Sequence, residues 1–417
     1  MSLLRQIAGF YKPDPKYIPS RRFDLDWLRI LAFGLLIFYH VGMLYVENWG
    51  YHIKSQYLSS QLESLMLLLN PWRMPILWMI SGIAIRFVLA RISVADFIKW
   101  RSYRLLLPLL FGVLVVVPPQ LYYEIRFNEG LQLSYWEFYS AFWQLDHPLF
   151  ENYQPGIWPH IDVNHLWYLR ELWTFSLYLL VLIPIFISKP VVSTIDWLVQ
   201  RSSWLLLLVV LLPIIAIQFS LEETREALGF LFLCYGFLLG WHPVIWDKLK
   251  RNAYRALICG LVCYLVIVYF YNNYWLTQND STDATALIIG GLIYSLDRLV
   301  WVLAALGLGY RFLNRPSAKL KYLSDAVYPF YILHQTAIII FAYELSRFSL
   351  GGFTESITVI LLTFISIGLS YEIIRRTDLL RPFFGLKLKR EYPSWAMFLL
   401  KSCSSILVIV LGLEIIL

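Results

Sequence analysis

The chain has 417 residues, of which 59% are hydrophobic and only 15% charged, and its mean hydropathy is +0.60, whereas a soluble globular protein carries about 25% charged residues. These proportions exclude a soluble enzyme, a disordered chain and a fibrous protein, and leave an integral membrane protein. The formal charge of +7 fits lysines and arginines held on one side of a bilayer, so no nucleic-acid partner is expected.

Residues 1–24 contain prolines and basic residues but no apolar core leading to a small-residue cleavage site. They read as a cytoplasmic segment, with the first span acting as an uncleaved signal-anchor. Windows of about 20 residues, enough to cross a bilayer, follow near 25–45, 65–88, 104–120, 166–186, 203–219, 228–241, 253–271, 285–309, 326–344 and 354–373. The expected fold is all-α, a polytopic transmembrane helix bundle with ten core spans over 25–373. A long extracytoplasmic loop is expected at 121–165, a basic cytoplasmic segment at 374–396 and an additional, eleventh span over 397–417.

Basic residues alternate between connections. One set holds 26 Lys and Arg, and the other only Lys54, Arg126, Arg225 and Arg347. This asymmetry supports the span count and predicts a cytoplasmic N-terminus. The four cysteines lie in apolar stretches and no Cys/His spacing resembles a zinc site, so neither a disulfide framework nor a metal is expected.

A charge at the centre of a spanning helix costs roughly 2.5–3.5 kcal/mol, so polar residues inside the windows carry the information. In the first window Arg29 and His40 are eleven positions apart, about three helical turns and roughly 16 Å of rise. They fit either a snorkelling arginine with a structural histidine or a functional pair on one face. The second window holds Asn70-Pro-Trp-Arg73-Met-Pro and Ser81-Gly82. The fourth opens with His165-Leu-Trp-Tyr-Leu-Arg170-Glu171, and the eighth contains Asp297-Arg298. These charges fit structural ion pairs as well as a site. In the ninth, Tyr331 and His334 project on one helical face.

Arg29 and His40, Ser81-Gly82, Arg101-Ser-Tyr-Arg104 followed by Pro108, His165-Leu-Trp-Tyr-Leu-Arg-Glu171 and Tyr331-Ile-Leu-His334 together resemble the membrane acyltransferase 3 family over nearly the whole chain. Asp24-Leu-Asp-Trp-Leu-Arg29, Arg73-Met-Pro, Trp167-Tyr-Leu-Arg-Glu171-Leu-Trp, Arg375-Arg376 and Leu380-Arg-Pro-Phe-Phe-Gly385 look most like the branch that succinylates osmoregulated periplasmic glucans. The eleventh hydrophobic segment departs from the ten-helix core of that family.

The resemblance implies a bacterial inner-membrane enzyme that moves an acyl group from cytoplasmic acyl-CoA to a sugar hydroxyl across the bilayer. Acyl-CoA, as succinyl-CoA, is then a co-substrate, with no permanently bound cofactor. His40 is expected to be the general base, since a neutral imidazole takes a hydroxyl proton near physiological pH. Glu171 is expected to orient a histidine or hold an imidazolium. Arg29, Arg101 and Arg104 suit the donor phosphates. Tyr331 and His334 either contact the donor or form a buried network supporting helix packing. Arg73 and Arg170 are candidates for pairing the terminal succinyl carboxylate, with Arg73 favoured by its setting between Pro71 and Pro75. Direct transfer and an acyl-histidine intermediate are both compatible with these residues.

The 121–165 loop holds twelve aromatic residues. Ring faces beside polar groups suit a carbohydrate, and Trp136, Trp143 and Trp158, with His165, are the acceptor-binding candidates, although an interfacial aromatic belt has much the same composition. Two alternatives stand beside glucan succinylation. One is O-acetylation of lipopolysaccharide or exopolysaccharide. The other is a secondary transporter, which predicts paired broken helices in two related halves, and no such correspondence is visible.

Overall fold

The computed structural model describes residues 21–144, 146–153, 160–276, 284–389 and 393–416, and among them every regular element is a helix. In chain order the α-helices are α1 (Phe23–Met43), α2 (Ser60–Met66), α3 (Arg73–Leu89), α4 (Val94–Phe111), α5 (Pro118–Asn128), α6 (Tyr135–Phe142), α7 (Trp167–Phe186) and α8 (Lys189–Gln200). They continue with α9 (Ser203–Ser220), α10 (Thr224–Leu239), α11 (Pro243–Phe270), α12 (Ala284–Phe312), α13 (Ala318–Leu345), α14 (Gly352–Arg376) and α15 (Ser394–Ile416). The expected N-terminal segment lies outside the described residues up to position 20.

Eight helical runs among the described residues are long and apolar enough to cross a membrane. They contain α1, α4 with α5, α7, α9, α11, α12, α13 and α14. The chain is an all-α polytopic bundle, as its composition requires. Helices α3 and α10 take up the two remaining core windows with 17 and 16 residues, a rise of about 25 Å against a hydrocarbon core of about 30 Å. Helix α15 takes up the eleventh window with 23 residues.

Two boundaries differ from expectation. The second window becomes one continuous helix only at Arg73, because turns occupy residues 67–72 and Pro71 brings no N–H to an α-helical ladder. The connection expected at 121 begins only after Asn128, since Val94–Asn128 is one helical run. Gln120 and Tyr122 are buried, so the first polar side chains at the end of the apolar window face protein, not water. Beyond it α6 is closed at its N-terminus by a reciprocal cap between Ser134 and Glu137. These bonds from the Ser134 hydroxyl and backbone hold the Glu137 carboxyl below its usual range.

The described residues gather into two compact units whose segments alternate along the chain. The first takes the residues up to Leu35 with Glu63–Phe97 and Phe175–Ser324. In it α3 and α10 approach closely, for a Cβ on Gly82 would overlap the Leu233 carbonyl and one on Gly236 that of Met79. Asp24 is fully buried beside Arg22 at 2.6 Å, and the Arg22 guanidinium lies 3.5 Å from the Trp246 ring centroid. Asp297 and Arg298 are also buried, and Arg298 donates to Gln218 Oε1 at 3.1 Å.

The second unit takes Leu36–Leu62, Ile98–Thr174 and Asp325–Leu417. Its core gathers Ile37 and Val41 from the end of α1 and Leu44 just after it, Ile338 and Ile339 from α13, and Val359 and Ile367 from α14. This apolar register places His40 between two core residues of α1 and His334 one turn before Ile338.

Candidate active site

His40 occupies the last turn of α1 and His334 lies on α13, fully buried. His40 Nδ1 and His334 Nε2 are 2.8 Å apart. The two rings are nearly coplanar, at 7° with centroids 5.0 Å apart, a separation equal to the N···N distance plus two ring radii. The contact is therefore an in-plane hydrogen bond and not a face-to-face stack.

The bonding partners fix who donates. His334 Nδ1 lies 2.7 Å from the carbonyl oxygen of Tyr331, which can only accept, so this nitrogen carries the proton. A neutral His334 then presents an unprotonated Nε2, and His40 Nδ1 must donate to it. The tautomer assigned by this chain leaves Nε2 as the basic nitrogen of His40.

A third histidine belongs to the cluster but is engaged differently. His165 sits in the 3-10 turn Asn164–Leu166 before α7, with its ring 5.3 Å from that of His334. His165 Nε2 donates to the Ile332 carbonyl at 2.9 Å, and Nδ1 accepts from Gln120 Nε2 at 3.2 Å. Both nitrogens are thus committed internally. Asn164, at φ 47° in the left-handed region that asparagine tolerates, accepts through Oδ1 from the His165 N–H at 2.6 Å and from Gln335 Nε2 at 2.8 Å. Gln120 also donates to Thr336 at 2.7 Å, and Thr336 in turn to the Val116 carbonyl at 2.8 Å.

The network continues to His52, whose Nε2 lies 2.9 Å from Gln335 Nε2 and whose Nδ1 lies 2.5 Å from Glu124 Oε2. Tyr51, next to it, places its ring 6.2 Å from that of His40. The Tyr51 hydroxyl is buried with no hydrogen-bond partner among the described residues. Burial, with the Glu124 carboxylate nearby, pushes its pKa well above the ordinary tyrosine value, so Tyr51 remains a neutral donor. Sequence reasoning missed Tyr51, His52, Gln120, Glu124 and Gln335. The signal available for Gln120 and Gln335 was an uncharged amide within an apolar run.

Of the residues expected at a site, the structure brings together His40, His165, Tyr331 and His334. Tyr331 donates its hydroxyl to the His165 carbonyl at 2.6 Å. The bond that fixes the His40 ring runs to His334, while the buried Glu171 pairs with Arg170 at 3.0 Å. Arg101 interacts electrostatically with Tyr168, Tyr328 and Arg104, and the Arg104 carbonyl accepts from the Tyr328 hydroxyl at 3.0 Å. Trp136 and Trp143 are 75% and 50% exposed, whereas Tyr135, Tyr139, Phe138 and Phe142 pack together as a small aromatic core. Trp158 lies outside the described residues.

Arg29 and Arg73 belong to the first unit. Arg29 donates to the Ser324 hydroxyl and lies 3.6 Å from Asp26. Arg73 donates to Asn70 Oδ1 at 3.3 Å.

A half-buried imidazole with a fixed tautomer, beside a buried phenol, is suited to deprotonating a hydroxyl next to an electrophilic carbonyl. The family profile described as an acyltransferase domain, acyltransferase family 3, matches residues 22–375. The chain belongs to the acyltransferase 3 family. No curated protein and no solved structure matches it. Membership makes the chain a membrane O-acyltransferase, and the matched residues include both histidines of the coplanar pair.

Proposed function

We propose that this acyltransferase 3 protein moves a succinyl group from cytoplasmic succinyl-CoA to hydroxyls of a periplasmic glucan, in a bacterial inner membrane with the N-terminus cytoplasmic. The observation that carries the chemistry is the chain of hydrogen bonds from the Tyr331 carbonyl through His334 to His40, which leaves His40 Nε2 basic. His40 Nε2 takes the proton of the acceptor hydroxyl as its oxygen bonds to the thioester carbon. The carbon–sulfur bond then breaks, and the proton passes to the departing thiolate, restoring neutral His40. An acyl-histidine route would use the same nitrogen. His334 acts through His40 and is a positioning residue. Tyr51 is suited to donate to the thioester oxygen as negative charge develops there.

Arg101 and Arg104 are proposed to meet the donor phosphates, and Arg29 takes the same role from the family resemblance. Glu171 is proposed to hold Arg170 in place. The succinyl donor and glucan acceptor rest on the resemblance of motifs such as Arg73-Met-Pro and Leu380-Arg-Pro-Phe-Phe-Gly385 to the branch that succinylates periplasmic glucans. The exposed Trp136 and Trp143 support a sugar acceptor.

The test is transfer by purified protein from labelled succinyl-CoA and acetyl-CoA to periplasmic glucan. Succinyl label is expected in the glycan with the wild type and none with His40→Ala. Arg73→Gln is expected to reduce succinyl transfer more than acetyl transfer, because only succinyl leaves a carboxylate without its partner. Preference of the wild type for acetyl-CoA would overturn the succinyl assignment. Full activity of His40→Ala would overturn the site.

A further inference from the structure

The first unit holds a cavity of about 360 Å³ bordered by α9, α11 and α12, with Met79 of α3 and Tyr235 and Leu239 of α10 completing its wall, far larger than the voids of a close-packed interior. Helix α9 explains it. Only 6% of its spanning window is buried, the smallest share of the eight runs, although its hydropathy of 2.3 is the highest. Polar contacts hold the helix near its two ends. Lys248 donates to the Arg201 carbonyl and Asn252 to the Ser203 hydroxyl at 3.3 Å, while Arg298 reaches Gln218 at 3.1 Å near the other end. At mid-length the Tyr235 hydroxyl of α10 donates to the Val210 carbonyl at 2.8 Å and Ile214 is fully buried, so the space runs along the part of α9 from Ser203 to Val210.

The lining is graded in polarity. Ser203, Lys248, Asn252 and Arg255 gather where α9 begins, with Arg255 donating to Asn252 Oδ1 at 3.3 Å. Leu207, Val210, Cys259 and Leu303 continue the wall as hydrocarbon. From Lys248 to Cys259 the cavity follows α11 for about 16 Å, close to the half-thickness of a bilayer's hydrocarbon core, about 15 Å. The hydrocarbon part of this wall offers water no hydrogen-bond partners and has the chemistry and length to receive a lipid chain.

The polar end also has a sign. Lys248 and Arg255 line that end with no acidic residue beside them among the described residues of its wall, and Lys250 and Arg251 add positive charge on other faces of the same stretch of α11, against Asp247. Trp197 and Trp204, both exposed, flank the start of α9, the position tryptophan takes at a membrane boundary. We propose that this cavity binds one anionic phospholipid, with its phosphate at Lys248, Asn252 and Arg255 and one acyl chain along α11. The proposal is independent of the acyl-transfer site.

Reconstitution in nanodiscs of phosphatidylcholine doped with chain-brominated phosphatidylglycerol or chain-brominated phosphatidylcholine tests it. Quenching of Trp204 is read as the difference between wild type and Trp204→Phe. Brominated phosphatidylglycerol should quench more strongly by at least about fivefold, and Arg255→Gln should lower that preference by about fivefold, the weight of one basic residue near a surface. Val210→Phe, which fills the apolar part, should remove retained phosphatidylglycerol in native mass spectrometry. Equal quenching by the two lipids overturns the proposal, as does undiminished retention in both variants. Relief of quenching by acyl-CoA also overturns it, assigning the cavity to the donor.

Discussion

The hydroxyl of Tyr331 donates to the carbonyl oxygen of His165 at 2.6 Å, and the carbonyl of Tyr331 accepts from His334 at 2.7 Å. One residue thereby ties the turn before α7 to α13 and sets the proton position on His334. The two bonds separate under substitution, since one uses the side chain and the other the backbone.

Tyr331→Phe removes the hydroxyl's bonds to the His165 carbonyl and with the Tyr168 backbone and keeps the backbone bond to His334, at a cost of about 1–3 kcal/mol for each buried group left unpaired. Thermal unfolding in detergent should show that loss. The pH dependence of transfer should stay where it is in the wild type, and a displaced profile would mean that the hydroxyl itself takes part in the chemistry.

His334→Leu removes the acceptor for the His40 Nδ1–H and should lower kcat by about 10²–10⁴, the span of positioned acid–base catalysis, with little change in KM. His334→Gln retains an amide oxygen that can accept the same proton and should recover part of the rate. Equal losses in both variants would contradict a positioning role exerted through hydrogen bonding.

Tyr51→Phe deletes the buried phenol beside His40 and should reduce kcat by about 10²–10³, as the loss of one oxyanion donor does. The fall should appear with both succinyl-CoA and acetyl-CoA, because the thioester oxygen is common to them. Wild-type kcat in this variant would remove Tyr51 from the reaction.

The Trp136→Ala/Trp143→Ala double variant strips the exposed rings from α6 and the residue after it, giving up their edge contacts with Tyr135, Tyr139 and Phe142 but keeping the four core rings themselves. The acceptor KM should rise about tenfold, or about 1.4 kcal/mol, while hydrolysis of succinyl-CoA without acceptor is unchanged. A parallel fall in hydrolysis would indicate damage to the fold.

The apolar windows are legible in the sequence because hydropathy is a property of consecutive residues. Arg29 and His40 stand out because both lie within one window. The partnership of His40 with His334 is not legible, since the residues are 294 positions apart and neither carries a local mark of the other. Tyr331 and His334 do show their shared face in the sequence, but their bond uses the Tyr331 backbone, which composition cannot reveal. The 121–165 aromatics read as one surface. In the structure much of that ring content forms a core, because a short capped helix turns Phe138 and Phe142 inward while leaving Trp136 outside.

The run Val94–Asn128 contains a π-helical turn at Gly112–Val116, and two of its carbonyls, of Leu114 and Val116, accept from Tyr139 and Thr336 at 2.9 and 2.8 Å. A wider turn of this kind accommodates one residue more than regular α-helix, which offsets everything after it by about 100° around the axis. Gln120 and Glu124 owe their bearing toward His165 and His52 to that offset. Deleting a single residue there would return the wide turn to regular α-helix and keep both side chains on that bearing, whereas inserting a second one would swing them by about 100°. The wide turn is therefore one residue of slack held in the helix, and this stretch should tolerate the loss of a residue far better than the gain of another.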